Sequence, residues 1–425
     1  MTTTSTEEGY ATDNRSPKHV REVGALFLRL GITAFGGPAA HIAMMRDEVV
    51  ERRKWIDDQH FLDLIGATNL IPGSNSSEMA IHLWFSRAGL PGLLVGGAAF
   101  IFPAFVMVLA LAWAYVEFGS TPAAAALLYG IQPVIIPIIV GARIKLGGKA
   151  LKGVVSAVVG AAVIAVFFLD VALPNIEIDN VILMLAGGLL IALIATLRGE
   201  NRRDPIEKAE ENGKLGLFAP LIGIAAVPGV QTAVTTFSLG LMFLTFLKIG
   251  AVLYGSGYTL FAFLQDDFVT RLGWLTEDQL IDAIAIGQMT PGPIVTTATF
   301  IGYVLGGFPG AILATLGIFI PSFIAVAITN PIIPKIRESK ILGSVLDGVN
   351  VAALGLMAAV TIQLAVAAYG VDAAIGQPLG LGLPFDVLRV LVGIAAAVAL
   401  FRFKVSSLWL VVGGAVFGGI VSLLV

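Results

Sequence analysis

FLDLIGATNLIPGSNSSEMAIHLWFSR, residues 61–87, is an apolar run interrupted in its middle by Ile71-Pro72-Gly73-Ser74-Asn75-Ser76-Ser77-Glu78. A second run of the same character, Leu280 to Leu305, is interrupted by Thr290-Pro291-Gly292-Pro293. Proline withholds a backbone donor and clashes with the preceding turn, and glycine loosens the helix further. Peptide groups freed in this way cannot stay unpaired in hydrocarbon. At membrane depth such a break must be buried in protein or line a wet cavity. Matched breaks, one in each half of a chain, point to a site between two repeats.

Composition supports a membrane setting. The chain has 425 residues, 57% hydrophobic and 13% charged, with mean hydropathy +0.90. Soluble domains carry about 25% charged residues, so the expected class is an all-α polytopic membrane protein. The net charge of -3 says little, because the charges sit in loops and their placement is what matters. No basic patch interleaved with aromatics suggests nucleic acid. The absence of cysteine excludes disulfides, thiolate metal sites and cysteine nucleophiles. No cofactor or metal is expected.

Apolar segments fall at 22–45, 61–87, 90–116, 123–142, 150–169 and 180–197, then at 215–234, 237–264, 278–305, 308–330, 341–369, 386–400 and 405–424. We divide the chain into a cytoplasmic tail (1–21), a first membrane repeat (22–197), a charged linker with a connecting helix (198–236) and a second membrane repeat (237–425). Residues 27–73 align with 246–292 without a gap, and thirteen of the 47 positions are identical. Gly31/Gly250, Asp47/Asp266, Arg52/Arg271, Trp55/Trp274, Asp63/Asp282, Pro72/Pro291 and Gly73/Gly292 are among them. The match continues after a one-residue slip through Pro91-Gly92/Pro309-Gly310 and Pro103/Pro321, and faintly at Gly130-Ile131-Gln132/Gly348-Val349-Asn350. Shared apolar composition gives scattered matches rather than co-linear Gly, Pro, Trp and Asp, so the halves are read as a duplication.

Lys and Arg fix the expected orientation. If segments 22–45 and 61–87 each enter and leave by one face, the basic clusters near residues 18, 50, 87, 148 and 200 all lie on the cytoplasmic side. Gly36-Gly37-Pro38 and Pro72-Gly73 stand where such hairpins would turn. The alternative is two kinked full spans. A crossing by 215–234 would invert the second half, giving two inverted-topology repeats with discontinuous or re-entrant helices and a cytoplasmic N-terminus.

A helix restarting after a break offers unpaired N–H groups and the positive end of its dipole, which suits an anion. Pro72, Gly73, Ser74, Asn75, Ser76 and Ser77 form the first such site, and Pro291, Gly292, Thr296 and Thr297 the second. Small hydroxyls donate to an oxyanion without adding buried charge; alternatively they bond back to their own helix. Arg29 and Lys248 are equivalent cations in FLRLG and FLKIG that would face a dianion, or else snorkel to the interface. Gly36 and Gly37, with Gly255 and Ser256, bring backbone close to a ligand or to a neighbouring helix. Glu78 and His82, one turn apart, are candidates to carry a proton, or a structural pair. His41 reads as packed, Trp55 and Trp274 as interfacial anchors, and Asp63 and Asp282 as first-turn helix stabilisers.

Phe27-Leu-Arg-Leu-Gly-Ile-Thr-Ala-Phe-Gly-Gly-Pro38, the 46–55 loop, Leu70-Ile-Pro-Gly73, Arg87-Ala-Gly-Leu-Pro-Gly92, Gly287-Gln-Met-Thr-Pro-Gly-Pro293 and Gly306-Gly-Phe-Pro-Gly310 resemble the long-chain, two-domain chromate ion transporters. The resemblance implies a bacterial or archaeal inner-membrane protein that moves chromate, usually outward, with sulfate as isosteric competitor. Two positions depart from the family pattern. Pro72-Gly73-Ser74 stands where Pro-Gly-Pro is frequent, and Glu78 stands where many members carry glutamine. The expected partners are a small oxyanion, chromate or sulfate, and the lipid bilayer, with a homodimer allowed for. Rival readings are a transporter of another small anion and an intramembrane enzyme using Glu78 and His82 as acid and base.

Overall fold

The computed structural model describes residues 17–35, 37–68, 71–151, 153–172, 178–198, 236–254, 257–329, 340–371 and 385–424. Of the expected tail (1–21), residues 17–21 instead form the start of the first helix, and the rest lies outside the described residues, as does the expected connecting helix at 215–234. The first half comprises α1 (Pro17–Thr33), α2 (Gly37–Arg46) continued by a π-helical turn (Asp47–Arg52), α3 (Asp58–Thr68), α4 (Ser76–Phe118), α5 (Pro122–Ala150), α6 (Val154–Ala172) and α7 (Asn180–Leu197). In the second half, α8 (Leu239–Val252) leads through a 3-10 turn (Gly257–Thr259) into α9 (Leu260–Leu264), again continued by a π turn (Gln265–Arg271). Then follow α10 (Glu277–Met289), a 3-10 turn (Ile294–Thr296), α11 (Thr297–Thr329), α12 (Lys340–Tyr369), α13 (Val387–Phe403) and α14 (Ser407–Leu424).

Every regular element among the described residues is helical. Six of these helices, α4, α5, α7, α11, α12 and α14, contain stretches long and apolar enough to cross a bilayer. The protein is an all-α, multi-pass membrane protein.

α4 and α11 are each two helices in sequence rather than one long rod. Gly89 (φ 61°, ψ -151°) and Gly307 (φ 60°, ψ -153°) adopt backbone conformations open to glycine and little else. A methyl placed on Gly96 would strike the Trp84 ring. Twelve residues of straight helix would hold those positions about 18 Å apart. The carbonyls of Gly302 and Gly310 likewise crowd each other's Cα. The chain therefore doubles back at Gly89 and at Gly306-Gly307, between the sequence segments 61–87 and 90–116 and between 278–305 and 308–330.

The preceding stretches also turn back. Glu22, near the start of α1, accepts from Trp55 Nε1 at 3.3 Å and pairs with Arg53 at 3.3 Å and Arg87 at 3.0 Å. Residues 22, 53–55 and 87 thus share one end, with the breaks at 34–38 and 71–75 at the other. This is the hairpin geometry expected from Gly36-Gly37-Pro38 and Pro72-Gly73, rather than two kinked spans. The second half repeats it, with Phe237 against Trp274 (ring centroids 5.1 Å) and facing the backbone of Gly306.

The remaining helices pack crosswise between halves. α5 packs on α13 and α14, and α12 packs on α6 and α7. Small residues let the backbones meet, as membrane helices require when no hydrophobic force favours one apolar partner over another. Gly130 lies against Gly414 and Gly418, and its repeat equivalent Gly348 against Gly187 and Gly188. α5 and α12 are themselves antiparallel. Tyr369 Oη donates to the Pro133 carbonyl at 3.4 Å, while Gly147 faces Leu354.

Candidate substrate site

Each Pro-Gly turn docks on the other half of the chain. The Gly73 N–H donates to the Leu253 carbonyl at 2.6 Å, and the Gly292 N–H donates to the Ala34 carbonyl at 3.0 Å. Gly73/Gly292 and Ala34/Leu253 are equivalent under the repeat alignment, so these two bonds are one bond made twice. Pro72 and Pro291 precede the bonded glycines. The glycines are needed where they stand, since Gly73 has φ +147° and Gly292 has φ +89°. A methyl on Gly257 would touch both Ile294 and, at 3.3 Å, Ser74 Cβ. A methyl on Gly37 would sit 3.1 Å from Tyr258 Oη. Four chain breaks, two from each half, therefore meet in one cluster. Gly36, Gly255 and Ser256 lie outside the described residues.

The polar groups differ between the two turns. In the second, Thr296 Oγ1 donates to the Pro293 carbonyl at 2.8 Å and Thr297 Oγ1 to the Ile294 carbonyl at 2.8 Å, so both hydroxyls bond back to their own chain. In the first, Ser74 Oγ bonds Ser77 Oγ at 2.9 Å, while Ser76 Oγ is buried without a partner. Asn75 has a positive φ (φ 63°, ψ -44°), and its side chain does not cap α4. Ser74 takes the first two N–H groups of α4 instead, Ser76 N–H on its carbonyl at 2.8 Å and Ser77 N–H on its Oγ at 3.4 Å.

Glu78 lies close beside this helix start. Its carboxyl folds back so closely under Gly73 that no side chain could be built there. It is fully buried, with the backbone of Ser74 and Asn75 and the Ser322 hydroxyl around it, and neither oxygen has a well-formed hydrogen bond. His82 is buried one turn further on. His41 is buried against Phe100, with centroids 6.2 Å apart, as a packed histidine.

Arg29 and Lys248 each meet a carboxylate of the returning helix. Arg29 pairs with Glu48, which also takes Arg52 at 3.1 Å. Lys248 pairs with Asp267 at 2.8 Å, which also takes Arg271 at 2.8 Å. All three positions are equivalent between halves, and in both the acid is held by the π turn that follows α2 or α9. π turns in helices concentrate at functional sites. Two open surface pockets lie beside α1, one near Lys18 and Glu22 and one of about 520 Å³ against Arg29, Thr33 and Glu48.

A family model described as chromate transporter matches residues 21–193 and 240–419. The chain belongs to the chromate transporter family. It is 30% identical over 404 residues to a chromate transport protein of Cupriavidus metallidurans, covering 95% of this chain and 93% of the relative. A chromate transport protein of Pseudomonas aeruginosa is 33% identical over 82% of each chain. A probable chromate transport protein of Synechococcus elongatus is 31% identical over 81% of this chain and 84% of the relative. No solved structure matches the chain. This is a family of transporters, not of enzymes.

The transporter also holds a buried polar network that sequence reasoning missed. Asp282 lies mid-helix in α10, whose N-terminus is capped by Thr276 and Gln279 instead. It accepts from Tyr115 Oη at 2.9 Å and Gln132 Nε2 at 3.0 Å. Gln132 Oε1 accepts in turn from Arg389 at 3.1 Å, and Arg389 stacks 4.7 Å over Tyr129. Tyr129 Oη donates to Asp386 at 2.7 Å. Asp282 is therefore a bridge between α4, α5 and α10 rather than the first-turn stabiliser expected. The available signal was a set of ionisable and amide residues inside apolar segments, which are costly in a membrane unless partnered. Trp55, flanked by Arg53 and Arg87 at 5.5 and 5.2 Å, and Trp274 sit at the hairpin bases. The Asp63 side chain lies outside the described residues.

Proposed function

We infer that this protein is a secondary transporter that carries chromate outward across the inner membrane, with sulfate as its isosteric competitor. The observation that supports the reading best is the reciprocal docking of Gly73 on Leu253 and Gly292 on Ala34, which brings helix N-termini from both halves into one cluster. Helix N-termini favour anions through free N–H groups and the dipole together. Ser74, Asn75, Ser76 and Ser77 would contact the oxyanion from one side, and Thr296 and Thr297 from the other. The antiparallel pairing of the equivalent helices α5 and α12 is what an inverted repeat requires.

Glu78 supplies the coupling. Its carboxylate occupies the helix N-terminus that an oxyanion would need, so anion and carboxylate exclude each other. A protonated Glu78 has no charge to hold there and gives way, with His82 next on the same helix face to pass the proton. Arg29 and Lys248 offset the charge of the passing dianion when released from Glu48 and Asp267. The cavity beside Arg29 is lined by Asp47, Glu48 and Arg52 of the loop that the bias of Lys and Arg would put on the cytoplasmic side, with the N-terminus. An outward-moving dianion also runs with the membrane potential, by about 2.3 kcal/mol per charge per 100 mV.

Chromate uptake into proteoliposomes, with sulfate as competitor, tests the substrate. Arg29→Ala and Lys248→Ala are each expected to lower flux by about tenfold or more. Arg29→Lys and Lys248→Arg, which keep the charge, are expected to retain most of it. Unchanged flux in both alanine variants contradicts the charge-offset role.

A further inference from the structure

The two halves repeat one ion-pair triad but hold it in different states. In the first, the Arg29 and Arg52 side chains are 52% and 63% exposed around Glu48. In the second, Lys248 and Arg271 are 8% and 22% exposed around Asp267. Thr33 is exposed on the wall of the cavity of about 520 Å³, whereas its repeat equivalent Val252 is buried. The added partners differ too: in the first, Arg52 also pairs with its neighbour Asp47 at 2.9 Å and Glu48 also takes Arg53 at 3.3 Å, whereas in the second the added acid comes from a distant helix. Asp179, the N-cap of α7, reaches Lys248 at 3.5 Å and Arg271 at 3.4 Å. The packing follows the same division. α9 lies on α12, and α10 on α5, α12 and α14, while among the described residues α2 and α3 have no packing of that extent on α5 or α12.

We propose that the two triads are the two gates of the transport path, and that Asp179 is the latch that holds the second one shut. The hairpin carrying Glu48 stands away from the helix scaffold and admits water to Arg29. The hairpin carrying Asp267 is drawn against it, with Lys248 and Arg271 sealed by two acids. A partly buried ion pair resists separation because the partner left behind is an uncompensated charge, so each triad favours a fully closed or a fully open arrangement. Exchange of the two states between equivalent hairpins is alternating access. The π turns are the elements that set Glu48 with Arg52, and Asp267 with Arg271, on the cations of α1 and α8. The inference rests on the transport reading above for the path, and on the contacts alone for the gates.

Because the chain has no cysteine, single cysteines report without background. Thr33→Cys and Val252→Cys, each in the full chain in lipid nanodiscs, are reacted with a water-soluble maleimide. Thr33→Cys is expected to react about tenfold faster or more, as for a minor state populated at roughly 10% or less. Asp179→Asn removes the latch charge but keeps an N-cap oxygen for α7. Added to each background, it is expected to speed labelling of Val252→Cys and slow that of Thr33→Cys together. Arg271→Gln, on the other side of the latch, is expected to do the same. Equal rates at the two cysteines without the latch variants, or rates that neither latch variant changes, overturn the proposal. Chromate flux measured on the same proteins separates the two readings. Reciprocal labelling without flux sinks the substrate and keeps the gates; flux without reciprocal labelling does the reverse.

Discussion

At the scale of single residues, the transporter spends most of its buried charge on neighbours. Arg389 illustrates the cost of removing one partner, since Gln132 and the Tyr129 ring are arranged around its guanidinium. Leaving a buried polar network half satisfied is worse than having none. Arg389→Ala is expected to destabilise the protein by about 3–5 kcal/mol in thermal unfolding in detergent. Asp282→Asn, which keeps an acceptor for Tyr115, is expected to cost clearly less. Equal losses would mean that the network contributes through shape alone. The sequence made Glu78 and the Pro-Gly glycines legible, because an acid and a helix breaker inside an apolar run are anomalies at any register. Asp282 was misread for a physical reason. A carboxylate early in a helix has a local use at the dipole, and only the fold shows that Tyr115 and Gln132 arrive to take it. Glu48 and Asp267 stood in the alignment as an acid pair. Nothing in their spacing signals that both lie in π turns that carry them onto Arg29 and Lys248.

At the scale of elements, the hairpins are set by a handful of glycines. Gly89 and Gly307 have nothing within 4 Å of where a side-chain carbon would go, so only backbone conformation restricts them. Gly89→Ala is expected to cost about 1–3 kcal/mol, the usual strain of a residue forced into a glycine-only region. Gly413→Ala provides the contrast, since that position in α14 is equally open and lies within a regular helix. It is expected to be neutral or to stabilise by up to about 1 kcal/mol. Thermal unfolding of the two variants side by side checks the assignment, and equal shifts would refute it. These reversals could be read in advance as gaps between apolar segments, because Gly-Leu-Pro-Gly and Gly-Phe-Pro-Gly interrupt hydrophobicity as well as helix. The hairpin direction of α1 with α2 was legible only through the placement of Lys and Arg.

At the scale of the whole molecule, the duplication could be read from the alignment, but the crosswise packing could not. Which apolar helix chooses which partner depends on small-residue seams such as Gly130 against Gly414 and Gly348 against Gly187, and one chain's sequence does not say which seams meet. The result is a scaffold of long crossed helices holding two short-helix hairpin pairs, whose four breaks converge where Glu78 is buried. On the function proposed above, that convergence is one anion seat shared by the two halves and by one carboxylate. The most direct test is chromate flux into proteoliposomes as a function of pH for the unaltered protein and for Glu78→Gln. The unaltered protein is expected to carry chromate faster as pH falls, because protonation clears the seat. Glu78→Gln, with no charge to place there, is expected to carry chromate with that acceleration lost. Flux that still accelerates fully at low pH in Glu78→Gln would contradict the shared seat.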